Sequence, residues 1–133
     1  MQIGELAKST GVSIRSLRYY EQQGLIAADR QENGYRTYNP LMIEKVNTIK
    51  FYLSLGFTTE QIASFLHCVM MNKESFCTQI VPIYRQKLAE IEDQIQLLSQ
   101  IRANLLDRIE AVTDENPNLL ECESHVHNDT KSR

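Results

Sequence analysis

Apolar side chains recur at helical spacing in two short segments near the N-terminus, and glycines separate these segments. The pattern predicts one helix over residues 3–9 and a second over about residues 14–23. Gly11 breaks the first helix, Ser13 is a favourable N-cap for the second, and Gly24 stands where a left-handed helix end is expected. Two short helices joined by a glycine turn are the helix-turn-helix pattern.

A short β hairpin is predicted directly after these helices. Its first strand begins at Leu25 and Ile26, and residues 35–38 form the return strand because they are rich in β-forming side chains. Between the strands, Asn33 and Gly34 are typical of a type I′ turn, which needs a positive φ at both positions. The hairpin would form a small wing after the helix-turn-helix.

Two further helices follow the hairpin. Asn39 and Pro40 suit the N-cap and the first position of a helix that Gly56 ends. Thr58 and Gln61 have the spacing of a capping box, which predicts the start of the next helix.

The last long element carries a regular heptad pattern. Pro82 is tolerated only in the first turn of a helix, so the helix cannot begin much before residue 77. The two heptad sets are Tyr84, Ile91, Leu98, Leu105 and Val112, and Val81, Leu88, Ile95, Arg102 and Ile109. Nine of these ten residues are apolar or aromatic, which predicts a coiled coil. A single helix of this length cannot bury the stripe, so it needs a partner helix.

Composition and charge narrow the function classes. The chain has 133 residues, of which 42% are hydrophobic, and no apolar run approaches the ~20 residues that span a bilayer. The N-terminus lacks a secretory-signal pattern, so we expect a cytoplasmic protein without a membrane partner. The net charge is −3, but residues 1–50 hold seven Lys/Arg and five Asp/Glu, so the basic charge lies around the helix-turn-helix. The sequence shows no phosphate loop, Ser/His/Asp set or inward carboxylate pair, and we expect no enzyme.

Five stretches of the chain are specific and fall in a recognisable order. They are Ile3-Gly4-Glu5-Leu6-Ala7, Leu17-Arg18-Tyr19-Tyr20-Glu21, Gly24-Leu25-Ile26, Asn33-Gly34-Tyr35-Arg36-Thr37-Tyr38 and Leu55-Gly56-Phe57. Together they resemble the MerR-type (mercury-resistance regulator) family of transcription regulators, and the resemblance covers about residues 1–110.

The resemblance implies a mainly α fold, with a winged helix-turn-helix DNA-binding domain followed by a long antiparallel coiled-coil dimerisation helix. We accordingly expect the DNA-binding domain over residues 1–70, a hinge over 71–76, the coiled-coil helix over 77–113, an effector loop over 114–127 and a disordered tail over 128–133. The resemblance also implies a homodimer that binds inverted-repeat promoter DNA and works with RNA polymerase. In this family the dimer underwinds and bends an overlong promoter spacer.

Four residues of the second predicted helix are candidates for DNA contact. Arg15, Ser16, Arg18 and Tyr19 lie on its outward face. Arginine is the commonest reader of guanine, and a tyrosine hydroxyl can donate to phosphate. A merely solvated face is the alternative, and the hairpin that follows favours DNA contact.

The wing adds three candidates. Arg36 and Tyr38 share one strand face, and Tyr35 lies on the other. The resemblance implies that Arg36 contacts DNA, and Tyr35 is a candidate phosphate contact. For Tyr38, DNA contact and packing both remain open.

The chain has only three cysteines, and this small, odd number does not fit a secreted disulfide framework. We therefore expect all three cysteines to be free thiols. Cys68 lies in an apolar run and is expected to be a packed core thiol. Cys77 is near a helix N-terminus, which favours the thiolate. Cys122 lies in a loop with His125 and His127, and this ligand set suits zinc, nickel or cobalt.

Helix length limits how these ligands can meet. About 35 helical residues at ~1.5 Å each separate Cys77 from Cys122 by ~50 Å, so one chain cannot hold an ion between them. In an antiparallel dimer, Cys77 of one chain would face Cys122 of the other. Metal sensors of the resembled family have ligands at both positions but usually carry two loop cysteines. The single loop cysteine here disfavours copper(I) or mercury(II), and it leaves a mixed Cys/His divalent site or no metal.

The favoured function is therefore a transcription regulator that responds to a divalent metal ion. A regulator of thiol or electrophile stress is one alternative, and a DNA-architectural protein without an effector is another. A coiled-coil adaptor that does not read DNA is the third.

Overall fold

The computed structural model describes residues 1–119. The helices are α1 (Ile3–Thr10), α2 (Ile14–Gln22), α3 (Leu41–Ser54), α4 (Thr59–Met71) and α5 (Ile80–Glu115). Strands β1 (Asp29–Arg30) and β2 (Arg36–Thr37) lie between α2 and α3, and 3₁₀ turns cover Glu74–Phe76 and Pro117–Leu119. The chain divides into one compact unit, Met1–Lys87, and a second that begins at Leu88. The expected mainly α fold, with one small hairpin and a long C-terminal helix, is confirmed.

The helix-turn-helix forms as its end signals predict. Leu6 of α1 and Leu17 of α2 are fully buried in the core. Gly11 follows α1 with a φ of +72°, a conformation that a side chain would disfavour. Ser13 caps α2, because its Oγ accepts a hydrogen bond from the Ser16 N–H at 3.1 Å.

The hairpin is present but shorter than its sequence suggests. Strand β1 pairs antiparallel with β2, and Asp29 lies opposite Thr37. The predicted strand start at Leu25 and Ile26 is wrong. These two side chains are only 1% and 2% exposed, so they pack into the core, and the strand begins after them at Asp29.

The turn of the hairpin is not type I′. Gly34 has a φ of +85°, but no other residue type has a positive φ within residues 1–119. The Gly34 N–H donates to the Gln31 carbonyl and the Gln31 N–H to the Tyr35 carbonyl, each at 2.9 Å. This is a three-residue loop, in which a type I turn precedes a left-handed glycine. Asn33 contributes through its side chain, since its Oδ1 accepts from the Tyr35 N–H at 3.2 Å.

The predicted capping residues form hydrogen bonds at the N-terminal ends of α3 and α4. Asn39 Oδ1 accepts from the Leu41 N–H at 2.9 Å, although α3 begins at Leu41 rather than Pro40. Thr58 and Gln61 form both hydrogen bonds of a capping box at the start of α4.

An aromatic cluster fills the core between α3 and α4. Tyr52, Phe57 and Phe65 meet edge to face, with ring centroids 4.7–6.0 Å apart. Each ring is at most 5% exposed. The cluster fixes the α3–α4 corner on which the connection to α5 rests.

Glu74 ties the connection between α4 and α5 to this corner. The hydroxyls of Tyr52 and Tyr84 both donate to Glu74 Oε2, and the two hydroxyl oxygens lie 3.0 Å apart. Burial, assisted by the hydrogen bond to Glu74, raises the pKa of Tyr84. Burial also raises the pKa of Tyr52.

The second unit continues α5 as a single helix with exposed apolar side chains. In the isolated chain nine of its large apolar residues are 39–63% exposed: Leu88, Ile95, Leu97, Leu98, Ile101, Leu105, Leu106, Ile109 and Val112. A continuous apolar surface of this kind is typical of an interaction site. No helix within residues 1–119 has the length and apolar character needed to cross a membrane.

Candidate functional site

The outward face of α2 presents the residues expected to contact DNA. Arg15, Arg18 and Tyr19 are exposed, and Tyr19 is exposed by 47%. Ser16 is half-buried, and its Oγ lies 3.0 Å from that of Ser13. The opposite face of α2 is buried, so packing fixes the direction in which the exposed side chains point.

The wing stands beside this face and forms a cleft with it. The cleft has a volume of about 490 Å³ and is lined by Gln2, Ile3, Arg18, Tyr35, Arg36 and Tyr38. Tyr35 is 65% exposed. Two guanidinium groups and an exposed phenol around one cleft can donate several hydrogen bonds to phosphate oxygens.

Glu21 joins the wing to α2. Its Oε2 lies 3.0 Å from an Arg36 guanidinium nitrogen, and the Arg36 side chain remains 50% exposed. Its Oε1 accepts from the Tyr38 hydroxyl at 2.5 Å. Sequence reasoning did not single out Glu21, although an acidic residue on a basic helix face, three positions after Arg18, was a usable signal.

Tyr38 borders this cleft but is almost fully buried. The side chain is 3% exposed, which favours the packing alternative over a DNA contact. Burial and then the hydrogen bond to Glu21 raise the pKa of Tyr38 to about 12, while Arg36 and Arg18 oppose this shift. The backbone of Tyr38 also anchors the N-terminus, because its carbonyl accepts from the Met1 ammonium at 2.9 Å.

The cysteines are arranged differently from the expectation. Cys68 and Cys77 are joined in a disulfide, with their Cα atoms 5.8 Å apart. Cys77 is 3% exposed and Cys68 is half-buried. Cys68 is therefore not a lone packed thiol, and Cys77 is not a thiolate in this form. The α4–α5 connection causes the difference, because it folds the start of α5 back onto the end of α4.

The sequence also predicts three metal ligands close to the C-terminus. Cys122, His125 and His127 lie outside the described residues, as does most of the expected effector loop. Within residues 1–119, no three His, Cys, Asp or Glu side chains cluster in a way that could hold a metal ion.

Comparison with known proteins identifies the family. Residues 2–38 match the family described as MerR family regulatory protein, and residues 43–108 match the one described as MerR, DNA binding. A mercuric resistance operon regulatory protein from Bacillus cereus is 35% identical over 122 residues, which cover 91% of each chain. The chain belongs to the MerR family. It is a DNA-binding transcription regulator and not an enzyme.

Two solved structures of MerR regulators share the fold. The regulator PbrR691 from Ralstonia metallidurans, in complex with lead(II), has a TM-score of 0.71 at 23% identity and covers 80% of this chain and 83% of its own. HiNmlR, a MerR family regulator lacking the sensor domain, was solved bound to promoter DNA. Its TM-score is 0.52 at 18% identity, and the match covers 77% of this chain and 78% of the HiNmlR chain. In this MerR chain, the described unit Met1–Lys87 contains the helix-turn-helix and its wing.

Proposed function

We propose that this MerR-family chain is a homodimeric, sequence-specific regulator that distorts promoter DNA in response to a divalent metal ion. The observation that carries the DNA part is the cleft in which Arg18 of α2 and Arg36 of the wing stand together. Helix and wing can grip adjacent parts of one duplex, with α2 in the major groove and the wing on phosphate.

The apolar stripe of α5 supports the homodimer. Leu98 is 63% exposed and Leu105 is 60% exposed in the single chain, and both belong to the predicted heptad pattern. Pairing with a second copy would bury the stripe, and an antiparallel arrangement would give a two-fold axis. A two-fold dimer matches an inverted repeat in the promoter, where RNA polymerase is the expected partner. We also propose that the protein is cytoplasmic, because a regulator that binds promoters must reach the chromosome.

The effector part rests on ligand chemistry and on the relatives. One relative is named for mercuric resistance, and one structural neighbour was solved with lead(II). In the proposed site, Cys77 of one chain and Cys122 with His125 or His127 of its partner would hold a tetrahedral divalent ion. Zinc is the default ion for such ligands, and nickel or cobalt are the other candidates. The disulfide form described above does not fit this site, because metal ligation requires Cys77 as a free thiolate.

The test has two stages. An operator is first enriched from a randomised duplex library with the fully reduced protein, and binding is measured by fluorescence anisotropy. Run-off transcription from a promoter containing that operator is then measured with zinc, nickel, cobalt, lead and mercury(II) in turn. We expect one divalent ion to change transcription without abolishing operator binding. Cys77→Ser and Cys122→Ser should each remove the response.

Cys68→Ser is the matched control, since the proposed site does not use Cys68. It should keep both operator binding and the metal response under reducing conditions. If the Cys77 and Cys122 variants respond like the parent protein, the metal site is wrong. Failure to enrich any sequence would contradict specific DNA reading and favour the adaptor alternative.

A thiol-stress regulator is the second candidate, and the Cys68–Cys77 pairing favours it. In that case an oxidant or electrophile would alter transcription while none of the five ions does. A protein that bends its operator but responds to neither class would instead be architectural.

A further inference from the structure

The proximity of Cys68 and Cys77 has no role in the metal site proposed above. Cys68 lies in the last turn of α4, and Cys77 lies just before α5. The separation between their Cα atoms, 5.8 Å, is within the range that a disulfide spans without backbone movement. The fold thus accommodates a disulfide between two cysteines that are nine residues apart in the chain.

We propose that Cys68 and Cys77 are a reversible redox pair, and that closing the disulfide withdraws Cys77 from the metal site. The inference rests on the proposed metal function for its second half. The reaction consumes a low-molecular-weight disulfide: two protein thiols and one RSSR give the protein disulfide and two RSH. Two electrons pass from the cysteines to the reagent, and the two thiol protons leave with RSH.

The exposures of the two sulfurs suggest the order of events. Cys68 is half-buried and accessible to a reagent, whereas Cys77 is 3% exposed. Cys68 first forms a mixed disulfide and releases one RSH. Cys77 then attacks the Cys68 sulfur as its thiolate, the protein disulfide forms and the second RSH leaves.

Independent contacts hold the connection when the disulfide opens. Glu74 receives hydrogen bonds from Tyr52 and Tyr84, and the Cys77 N–H donates to the Glu74 carbonyl at 3.1 Å. None of these contacts uses a sulfur atom. Reduction therefore changes the chemistry at Cys77 more than its position, as a switch on a ligand requires.

The chain allows a direct test of the pair. Trypsin cleaves after Lys50, Lys73 and Arg85, so Cys68 and Cys77 fall in different peptides. The full-length protein is incubated with oxidised glutathione, its free thiols are alkylated, and the digest is mapped by mass spectrometry. We expect residues 51–73 cross-linked to residues 74–85, and full reversal by reduced glutathione. The Cys122→Ser variant should give the same cross-link. If neither protein forms the cross-link between these two peptides, the inference is overturned.

Metal binding tests the second half. Equilibrium dialysis with zinc, nickel and cobalt compares the reduced protein, the oxidised protein and the Cys68→Ser variant treated with the same oxidant. We expect oxidation to weaken binding more than tenfold in the parent, because even changes outside the ligand shell cost about that much. Cys68→Ser should bind like the reduced parent, with circular dichroism confirming its fold.

The outcomes separate this inference from the proposed function. Equal affinity of the reduced and oxidised parent would overturn the switch and leave the metal site standing. If the reduced parent and Cys68→Ser both bind no ion, the metal function and the gating fail together. The peptide map then decides the redox pair by itself.

Discussion

At the scale of single residues, Glu21 has a positioning role in the proposed DNA-binding face. Its carboxylate is shared between Arg36 and the Tyr38 hydroxyl, so it connects an exposed cation with a buried phenol. Arg36 is thereby held at the edge of the cleft that Arg18 also lines. A guanidinium group that is already held in place loses less conformational freedom on binding phosphate than a free side chain.

Arg18→Ala tests whether α2 reads bases. If Arg18 contacts a base edge, specific operator binding should weaken by about 1–3 kcal/mol, because a bidentate pair to guanine is lost. Anisotropy titrations over a range of salt concentrations measure the effect, and Arg85→Ala in α5 is the charge-matched control. A smaller loss on all sequences, with a shallower salt slope, would mean that Arg18 touches only phosphate.

Tyr38→Phe tests the buried contact with Glu21. The folded-state pKa of Tyr38 is about 12, above the ordinary value of 10.0. A raised pKa means that folding favours the protonated phenol. Its stabilising contribution is complete below about pH 10 and is lost as pH rises towards 12. Urea unfolding from pH 8 to 11.5 should show a smaller loss of stability with pH in Tyr38→Phe than in the parent.

Tyr35→Phe, which alters a solvent-exposed phenol in the same wing, is the matched control. Identical pH slopes for the parent and Tyr38→Phe would contradict the assignment of the shift to this contact.

At the scale of elements, α5 combines two kinds of surface. Its first turns pack into the aromatic corner through Tyr84, while the helix from Leu88 onward displays large apolar side chains. The pattern rather than the amount of apolar surface predicts which of them meet a partner helix, since a coiled coil uses only the heptad seam.

Leu98 and Leu97 provide a comparison of this kind. They are 63% and 61% exposed, but only Leu98 belongs to the predicted heptad sets. Leu98→Asp should weaken the dimer by at least about 2 kcal/mol, because it would bury a carboxylate without a partner. Leu97→Asp should have little effect. Sedimentation equilibrium measures both, and equal effects of the two substitutions would contradict the predicted seam.

At the scale of the whole molecule, the proposed activity depends on symmetry. One chain presents one α2 and one wing, and two chains related by a two-fold axis would present a pair of them to two half-sites. The spacing of the half-sites is then a geometric property of the dimer.

Changing the operator spacing tests this symmetry. Inserting about five base pairs between the half-sites rotates one of them by about half a turn, since B-DNA repeats every ~10–10.5 base pairs. We expect affinity to fall close to that for unrelated DNA. An operator with substitutions outside both half-sites is the control, and unchanged affinity of the extended operator would contradict simultaneous binding of two half-sites.

Much of the fold, and the exposure of the α2 residues proposed to contact DNA, could be predicted from the sequence. Gly11, Ser13 and the Thr58–Gln61 capping box mark helix ends because each acts on backbone groups within a few residues of itself. Local hydrogen bonds and φ preferences depend on residues that are neighbours in the sequence. Arg18 and Tyr19 lie outward for the same reason, since helical periodicity alone separates them from the buried face.

Tertiary structure decided which side chains meet. Asn33 and Gly34 predicted a hairpin, but the positions of the strands selected a three-residue loop. The sequence left both packing and DNA contact open for Tyr38. In the folded chain its hydroxyl donates to Glu21, a partner that only the tertiary structure supplies. Cys68 and Cys77 fall in segments of different character, and only the fold of the α4–α5 connection places them together. Such pairings depend on how helices pack in three dimensions, which no short stretch of sequence encodes.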